Sequence, residues 1–251
     1  MKYKILRLFL KTVGQLSDGI RLGWRTGFDS GVMLEYVYQN RARGITPIGA
    51  LFDRLFLSNE VWDGVRSRRE ILIKQLQKAI DKYDSPQVFD MAAGVGSYLF
   101  MLPAGRATIT AGDYEREAVQ AGKEKAAALN RSDITFKPSN AFSKSELAEQ
   151  GADVLVCSGF FDILTDENQI KTVIENGSAV TQSGARWVFT IQEHHPDLNL
   201  IKESLIDLNK QAWHLVPRPA TVIAEYAKQF GWKLEELERN QFFAVGTMVR
   251  S

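Results

Sequence analysis

Val88-Phe89-Asp90-Met91-Ala92-Ala93-Gly94-Val95-Gly96-Ser97-Tyr98 is an apolar run that breaks into a glycine turn. Such a run reads as a β-strand entering a ligand-binding loop, because Gly94 and Gly96 let the backbone turn sharply and approach a ligand where any Cβ would collide. A second apolar run, Ala107 to Gly112, ends at Asp113. That places a carboxylate roughly 20 residues downstream, where Rossmann-like folds set one against ribose hydroxyls. Together the two point to a nucleoside-bearing cofactor. Leu99 stands where a dinucleotide fingerprint has its third glycine, and the chain has no G-x-x-x-x-G-K-[ST] phosphate loop.

The flanking periodicity predicts an α/β fold. Strands are expected at Val88 to Ala92, Thr108 to Gly112, Ile134 to Lys137, Asp153 to Cys157 and Arg186 to Ile191, with helices between them. Two further runs, Lys233 to Glu238 and Phe242 to Val249, are separated only by Arg239-Asn240-Gln241, too few residues for a helical crossover. They should pair as an antiparallel hairpin. The sum is a Rossmann-like, doubly wound seven-stranded sheet with its last strand antiparallel. Ahead of it, residues 1–43 read as helical, and apolar positions from Leu51 to Ile80 repeat near 3.6 residues up to the Ser85-Pro86 break. The expected division is a helical extension or lid over residues 1–85 and a Rossmann-like domain over 86–251.

Composition bounds the function. With 251 residues, 45% hydrophobic and 24% charged, this is an ordinary globular chain, and a net charge of +1 argues against an overall electrostatic nucleic-acid binder. The single cysteine, Cys157, excludes an intramolecular disulfide framework and sits in an apolar run as a buried thiol would. No stretch approaches the roughly 20 apolar residues of a membrane span, and no signal-peptide cleavage pattern follows the N-terminal segment, so a cytoplasmic location is expected. Charge is uneven, however: residues 1–85 carry a net +6 and the remainder −5. In residues 1–16, Ile5, Leu6, Phe9, Leu10, Val13 and Leu16 recur at helical spacing among Lys2, Lys4, Arg7 and Lys11. That amphipathic segment either packs its apolar face on the rest of the protein or makes peripheral contact with the inner membrane face.

Asp90-x-Ala92-x-Gly94-x-Gly96 resembles the first motif of class I S-adenosylmethionine-dependent methyltransferases, with alanine in place of the first glycine. The chain is further similar to the bacterial branch of that superfamily found alone or fused behind an α/β-hydrolase domain. From about Arg41 onward the markers are Arg41-Ala42-Arg43-Gly44, Pro47-Ile48-Gly49 and Asp53, then the glycine turn. Ser158-Gly159-Phe160-Phe161-Asp162-Ile163-Leu164, Thr190-Ile191-Gln192 with His195-Pro196, and Gln241-Phe242-Phe243-Ala244-Val245 follow. The resemblance implies S-adenosylmethionine as cofactor. It places the methionine end at Asp90, Ala92, Gly94, Gly96 and Tyr98, the ribose at Asp113 and the adenine at Tyr114, Asn140, Ala141 and Phe142. Ser158, Gly159 and Phe160 would lie under the sulfonium methyl, where aromatic faces attract a cation.

For catalysis, methyl transfer is an in-line displacement at an activated carbon, so alignment can supply much of the acceleration and a base is needed only for an acceptor that must lose a proton. His195, after the fifth strand, is the candidate acceptor-facing group, with a loop histidine bonded for structure as the alternative. Tyr36 and Arg43 could close over the pocket or simply pack. Phe161, where the branch often has tyrosine, is expected to form an apolar wall. No metal site is expected. The leading expectation is a methyltransferase acting on a small-molecule or lipid-like acceptor. The alternatives are a reaction that consumes S-adenosylmethionine by cyclisation, elimination or aminocarboxypropyl transfer, and a non-catalytic, membrane-peripheral accessory protein. Nucleic acid is not an expected partner, since no Asn/Asp-Pro-Pro-aromatic tetrad follows the fourth strand. The sequence is silent on oligomeric state.

Overall fold

Alternate residues of the central strands are apolar on both sides, and this decides the architecture. The structure, a computed structural model, describes residues 1–147 and 151–251. Its strands are β1 (Gln87–Asp90), β2 (Thr108–Asp113), β3 (Ile134–Pro138), β4 (Ala152–Cys157), β5 (Thr181–Gln192), β6 (Trp232–Arg239) and β7 (Phe243–Arg250). They form one sheet in the order β3-β2-β1-β4-β5-β7-β6. β1 lies parallel to both β2 and β4, while β7 runs antiparallel to β5 and β6. The seven-stranded, doubly wound sheet with an antiparallel last strand is therefore as the sequence indicates.

Val88, Val154, Val156 and Val188 face one side, where they join Leu72 and Leu76 of α5 (Glu60–Ile80) and Val119 of α6 (Arg116–Ala128). Phe89, Leu155, Cys157, Trp187 and Phe189 face the other, with Ile170, Val173 and Ile174 of α8 (Glu167–Ala179) and Ile223 of α10 (Ala220–Ala227). Period-two alternation in strands buried on both faces requires helices on both faces. Cys157 is fully buried, and burial pushes its thiol well above the ordinary range.

The chain divides into two compact units, Met1–Arg66 with His195–Val216, and Ser67–His194 with Pro217–Ser251. The sheet belongs to the second. This differs from a boundary at 85/86 in two ways: most of α5 supplies the sheet's own core, and a late segment joins the N-terminal helices. In the first unit, α1 (Lys2–Lys11), α2 (Asp18–Thr26), α3 (Gly31–Gln39) and α4 (Pro47–Leu57) are separated by caps. Ser17, Ser30 and Thr46 accept the amides of Ile20, Met33 and Gly49, which fixes where three of these helices begin. Leu10, Ile20 and Phe28 pack with Ile201 of α9 (Leu198–Ser204) and with Leu205, Ile206 and Leu215. The Tyr3 hydroxyl donates to both carboxylate oxygens of Asp197 at 3.0 Å, tying α1 to the start of α9.

β5 starts at Thr181, five residues before the hydrophobic pattern does. Thr181 to Gly184 is a polar, largely exposed stretch, so it buries nothing that periodicity could register. Pairing of Ala152 with Thr181, followed by a register shift, nevertheless extends the ladder.

Candidate cofactor site

The chain runs from β1 outward to β2 and β3, then returns to place β4 on the other side of β1. Beyond the carboxyl ends of β1 and β4 the loops diverge, and this is where open α/β sheets bind ligands. The glycine turn follows β1 at that switch point. Gly94 and Gly96 hold φ of 58° and 64°, a left-handed conformation that costs other residues strain.

Asp90, the last residue of β1, is fully buried. Its Oδ1 accepts the Ala92 amide at 3.3 Å and its Oδ2 accepts the hydroxyl of Tyr98, itself buried. Among the described residues no cation pairs with it. Burial raises its pKa to about 7, the Tyr98 and Ala92 hydrogen bonds pull it down in part, and the Asp113 charge adds to the rise. On the same turn the Ser97 hydroxyl is buried and has no hydrogen-bond partner among the described residues. A buried carboxylate without a cation and a buried hydroxyl without a partner are both costly in an empty interior. On one turn, they suit a ligand carrying positive charge and hydrogen-bonding groups.

Asp113 ends β2. Its Oδ2 accepts the Gly94 amide at 2.7 Å and its Oδ1 accepts the Glu115 amide at 2.8 Å, while burial raises its pKa. The Gly94 amide is thus committed to Asp113, and that part of the turn cannot also serve a cofactor's amino-acid end. A carboxylate has about four lone-pair directions, so acceptor capacity remains for two hydroxyls. Tyr114, next along, is 76% exposed. After β3, Asn140 Oδ1 accepts the Phe142 amide at 3.0 Å, and the Asn140 amide donates to Glu146 at 3.0 Å. Ala141 is buried, its carbonyl accepting from Asn176 at 3.0 Å. The half-exposed Phe142 ring meets the half-buried Phe160 ring at 5.7 Å. Two loops from strands that are not neighbours in the sheet thus share one aromatic wall. Beside Phe160, Ser158 is half-buried, and Gly159 (φ 73°) donates its amide to Thr190 Oγ1 of β5 at 2.8 Å.

Of the residues expected to serve catalysis, Phe161 belongs to the core of the sheet, and Tyr36 and His195 belong to the helical unit. Phe161 is not an exposed apolar wall: it is fully buried, with its ring 6.2 Å from Trp187 and 6.3 Å from Phe189. Alternation explains this, since Phe160 faces the loop surface and Phe161 turns into the core. Tyr36 belongs to the helical unit, where it is buried and donates to Asp53 Oδ2, with the Arg43 guanidinium 5.0 Å from its ring. Burial and the Asp53 carboxylate push its phenol well above the ordinary range. A phenol held protonated this way is no base. His195 lies in the same unit, where its Nδ1 accepts the Asp197 amide at 3.1 Å. In the neutral ring that bond sets the proton on Nε2, which makes the edge opposite Nδ1 a donor.

One buried ion pair was not legible beforehand. Arg68 of α5 meets Asp162, just past Phe161, at 2.8 Å, and the Asp162 Oδ1 also accepts the Gln192 amide. The Arg68 charge offsets the rise that burial imposes on Asp162. A clue did exist: Arg68 falls on the helical stripe of Val65, Leu72 and Leu76, where an unpaired charge would be untenable. Ser97 gave no such signal, because serine is unremarkable in a turn.

Comparison with known proteins agrees with this fold. The chain is 31% identical over 211 residues to Uncharacterized protein YnbC of Escherichia coli (strain K12), a match covering 80% of this chain and 36% of that relative. The chain thus spans about a third of the length of this curated relative. Among solved structures, a "possible exported protein" from Bordetella parapertussis superposes with a TM-score of 0.70 at 16% identity, covering 88% of this chain and 79% of that one. Magnesium protoporphyrin IX methyltransferase (ChlM) from Synechocystis PCC 6803 with bound SAH gives 0.65 at 14% identity, covering 90% and 98%. At such identities these two structures establish the fold. The sequence profile of a family described as putative methyltransferase matches residues 1–249, nearly the whole chain. The chain, with its glycine turn between β1 and Asp113, belongs to that putative methyltransferase family.

Proposed function

We propose that the protein transfers a methyl group from S-adenosylmethionine to a small-molecule or lipid-like acceptor. The observation that carries this reading is the pairing, on one glycine turn, of the buried Asp90 carboxylate, which no cation of the described residues balances, with the buried Ser97 hydroxyl, which has no hydrogen-bond partner among them. S-adenosylmethionine, when bound, supplies a cation and a methyl carbon already activated for displacement.

Asp90 faces the positively charged methionine end, directly or through the Tyr98 hydroxyl, and Ser97 hydrogen-bonds its polar groups. Asp113 uses its remaining lone pairs on the ribose hydroxyls while its bond to the Gly94 amide keeps the turn in register. Phe142 and Phe160 cover the adenine and the sulfonium with ring faces, which attract positive charge and exclude water. The Asn140 Oδ1 keeps one lone pair for the adenine amino group. For an acceptor that already carries a lone pair, alignment alone suffices.

Titration calorimetry with S-adenosylmethionine tests the site. Asp113→Ala should weaken binding about 10- to 100-fold through lost charge-assisted hydrogen bonds, and Gly94→Trp should abolish it. Undiminished affinity in both variants would defeat the assignment. Incubation with a cell extract then separates reactions by product: S-adenosylhomocysteine marks methyl transfer, whereas methylthioadenosine marks loss of the aminocarboxypropyl group.

A further inference from the structure

The helical unit exposes large apolar side chains where a folded protein ordinarily hides them. Ile5 and Leu8 of α1 are 62% and 64% exposed, and Ile48, Leu51 and Leu55 of α4 are 59%, 51% and 62% exposed. Spacings of three and four residues put each set on one face of its helix. The two faces join at an edge-to-face contact between Phe9 and Phe52, whose ring centroids are 5.2 Å apart. Ile5 precedes Phe9 by one helical turn, and Ile48 precedes Phe52 likewise. The apolar surface is therefore one patch across two helices, with both Phe rings half-buried at its seam.

Charge in the two segments that carry this patch is mostly positive, with Lys2 offset by Asp197 at 3.9 Å. Residues 1–17 contain Lys2, Lys4, Arg7 and Lys11 and no acidic residue, and residues 41–57 contain Arg41, Arg43 and Arg54 with Asp53 as the one acid. Asp53 is fully buried and accepts four hydrogen bonds, so it presents no negative charge to the surface. Lys4 and Lys11 are exposed and fall beside the Ile5 and Leu8 stripe on the helix wheel, with the Lys11 ammonium 4.9 Å from the Trp24 ring. Apolar residues flanked by an excess of cations match a bilayer interface bearing anionic headgroups. A protein partner would have to be both apolar and acidic over the same area, and a second copy of this chain would bring like charges together.

We infer that α1 and α4 together form a docking surface for anionic lipid, with Ile5, Leu8, Ile48, Leu51 and Leu55 entering the acyl boundary and the surrounding Lys and Arg residues holding the headgroups. This goes beyond an amphipathic N-terminal helix, because α4 supplies half of the buried face and only the fold brings it beside α1. It is also independent of the reaction at the glycine turn.

Sedimentation of the 251-residue chain with vesicles of phosphatidylglycerol and phosphatidylcholine, against phosphatidylcholine alone, tests it. Binding should require the anionic lipid and fall steeply between 50 and 500 mM salt, about fivefold for each Lys or Arg charge removed. Leu51→Glu/Leu55→Glu on α4 and Ile5→Glu/Leu8→Glu on α1 should each reduce partitioning at least tenfold, with melting temperatures and S-adenosylmethionine binding unchanged. Equal binding to neutral vesicles, or no binding to either, would overturn the proposal. So would full binding by the α4 variant, which would leave α1 alone as an anchor. Light scattering covers the remaining occupant: a wild-type dimer that the α4 variant dissociates, without vesicle binding, would assign the patch to self-association and overturn the lipid assignment.

Discussion

Asp53 in the helical unit and Asp90 at the end of β1 are both fully buried aspartates, yet their surroundings differ in kind. Asp53 receives the Ser17 hydroxyl at 2.6 Å, the Gly19 amide at 2.7 Å, the Arg43 amide at 2.8 Å and the Tyr36 hydroxyl. Four donors from α2, α3 and the loops before α2 and α4 converge on one carboxylate, which therefore fastens those segments together. Among the described residues Asp90 receives only the Tyr98 hydroxyl and a long bond from the Ala92 amide, and its pKa rises to about 7. A carboxylate that folding has saturated is structural. One that folding has dehydrated and left short of positive charge is suited to a cationic ligand.

The largest expected effect that tests this contrast is on stability. Asp53→Ala orphans four donors, each costing about 1–3 kcal/mol when left buried, with water entering the cavity and offsetting part. Urea unfolding should show a loss of about 3–5 kcal/mol. If the folded variant also lost S-adenosylmethionine affinity, Asp53 would no longer count as purely structural.

Asp90→Asn should do the reverse. The neutral amide keeps the shape and can still accept from Tyr98, so at pH 8 thermal stability should hold or rise, while S-adenosylmethionine affinity falls about 10- to 100-fold for want of a charge-assisted partner. Stability loss with intact affinity would reverse the two roles.

The pH dependence follows from the same residue. Its folded pKa of about 7 lies above the unfolded value of about 3.9, so the folded protein binds more protons in between. The Asp90 contribution to stability is thus fully present below about pH 4 and is lost as pH rises through about 7. Binding of a cation has the opposite sign, since it needs the ionised form: affinity should be constant above about pH 7.5 and fall up to tenfold per unit below about 7. Calorimetry in buffers of different ionisation enthalpy should detect uptake of nearly one proton by buffer at pH 6, absent in Asp90→Asn. A flat profile in the wild type would remove Asp90 from direct contact with charge.

The smallest effect is expected at Ser97. Removing a buried hydroxyl without a partner should leave stability unchanged or slightly improved in Ser97→Ala, while S-adenosylmethionine binding weakens about three- to tenfold. Destabilisation with unaltered binding would show that the hydroxyl serves the fold.

Local pattern carried the sheet. The central strands are mostly apolar runs bounded by Gly, Pro or polar residues, and the three-residue gap before Phe242 dictated the hairpin, so every strand was found to within a few residues except the polar start of β5. The glycine turn and Asp113 were legible because their backbone demands, a positive φ and a carboxylate at a strand end, restrict which residues can stand there. Legibility failed where partners lie far apart in the chain. Phe161 read as a cleft wall beside Phe160, but the strand exit turns consecutive side chains in opposite directions and sends it into the core. Arg68 and Asp162 are 94 positions apart, so neither announces the other.

By itself, then, the sequence determined the seven-stranded α/β frame and the glycine turn that follows its first strand, since both follow from short-range periodicity and backbone sterics. Only the tertiary structure decided that residues His195–Val216 join the N-terminal helices, that Asp53 is saturated while Asp90 meets no cation among the described residues, and that α1 and α4 touch through Phe9 and Phe52. Those outcomes depend on which distant side chains meet and which polar groups they leave unmatched, and neither is written in local spacing.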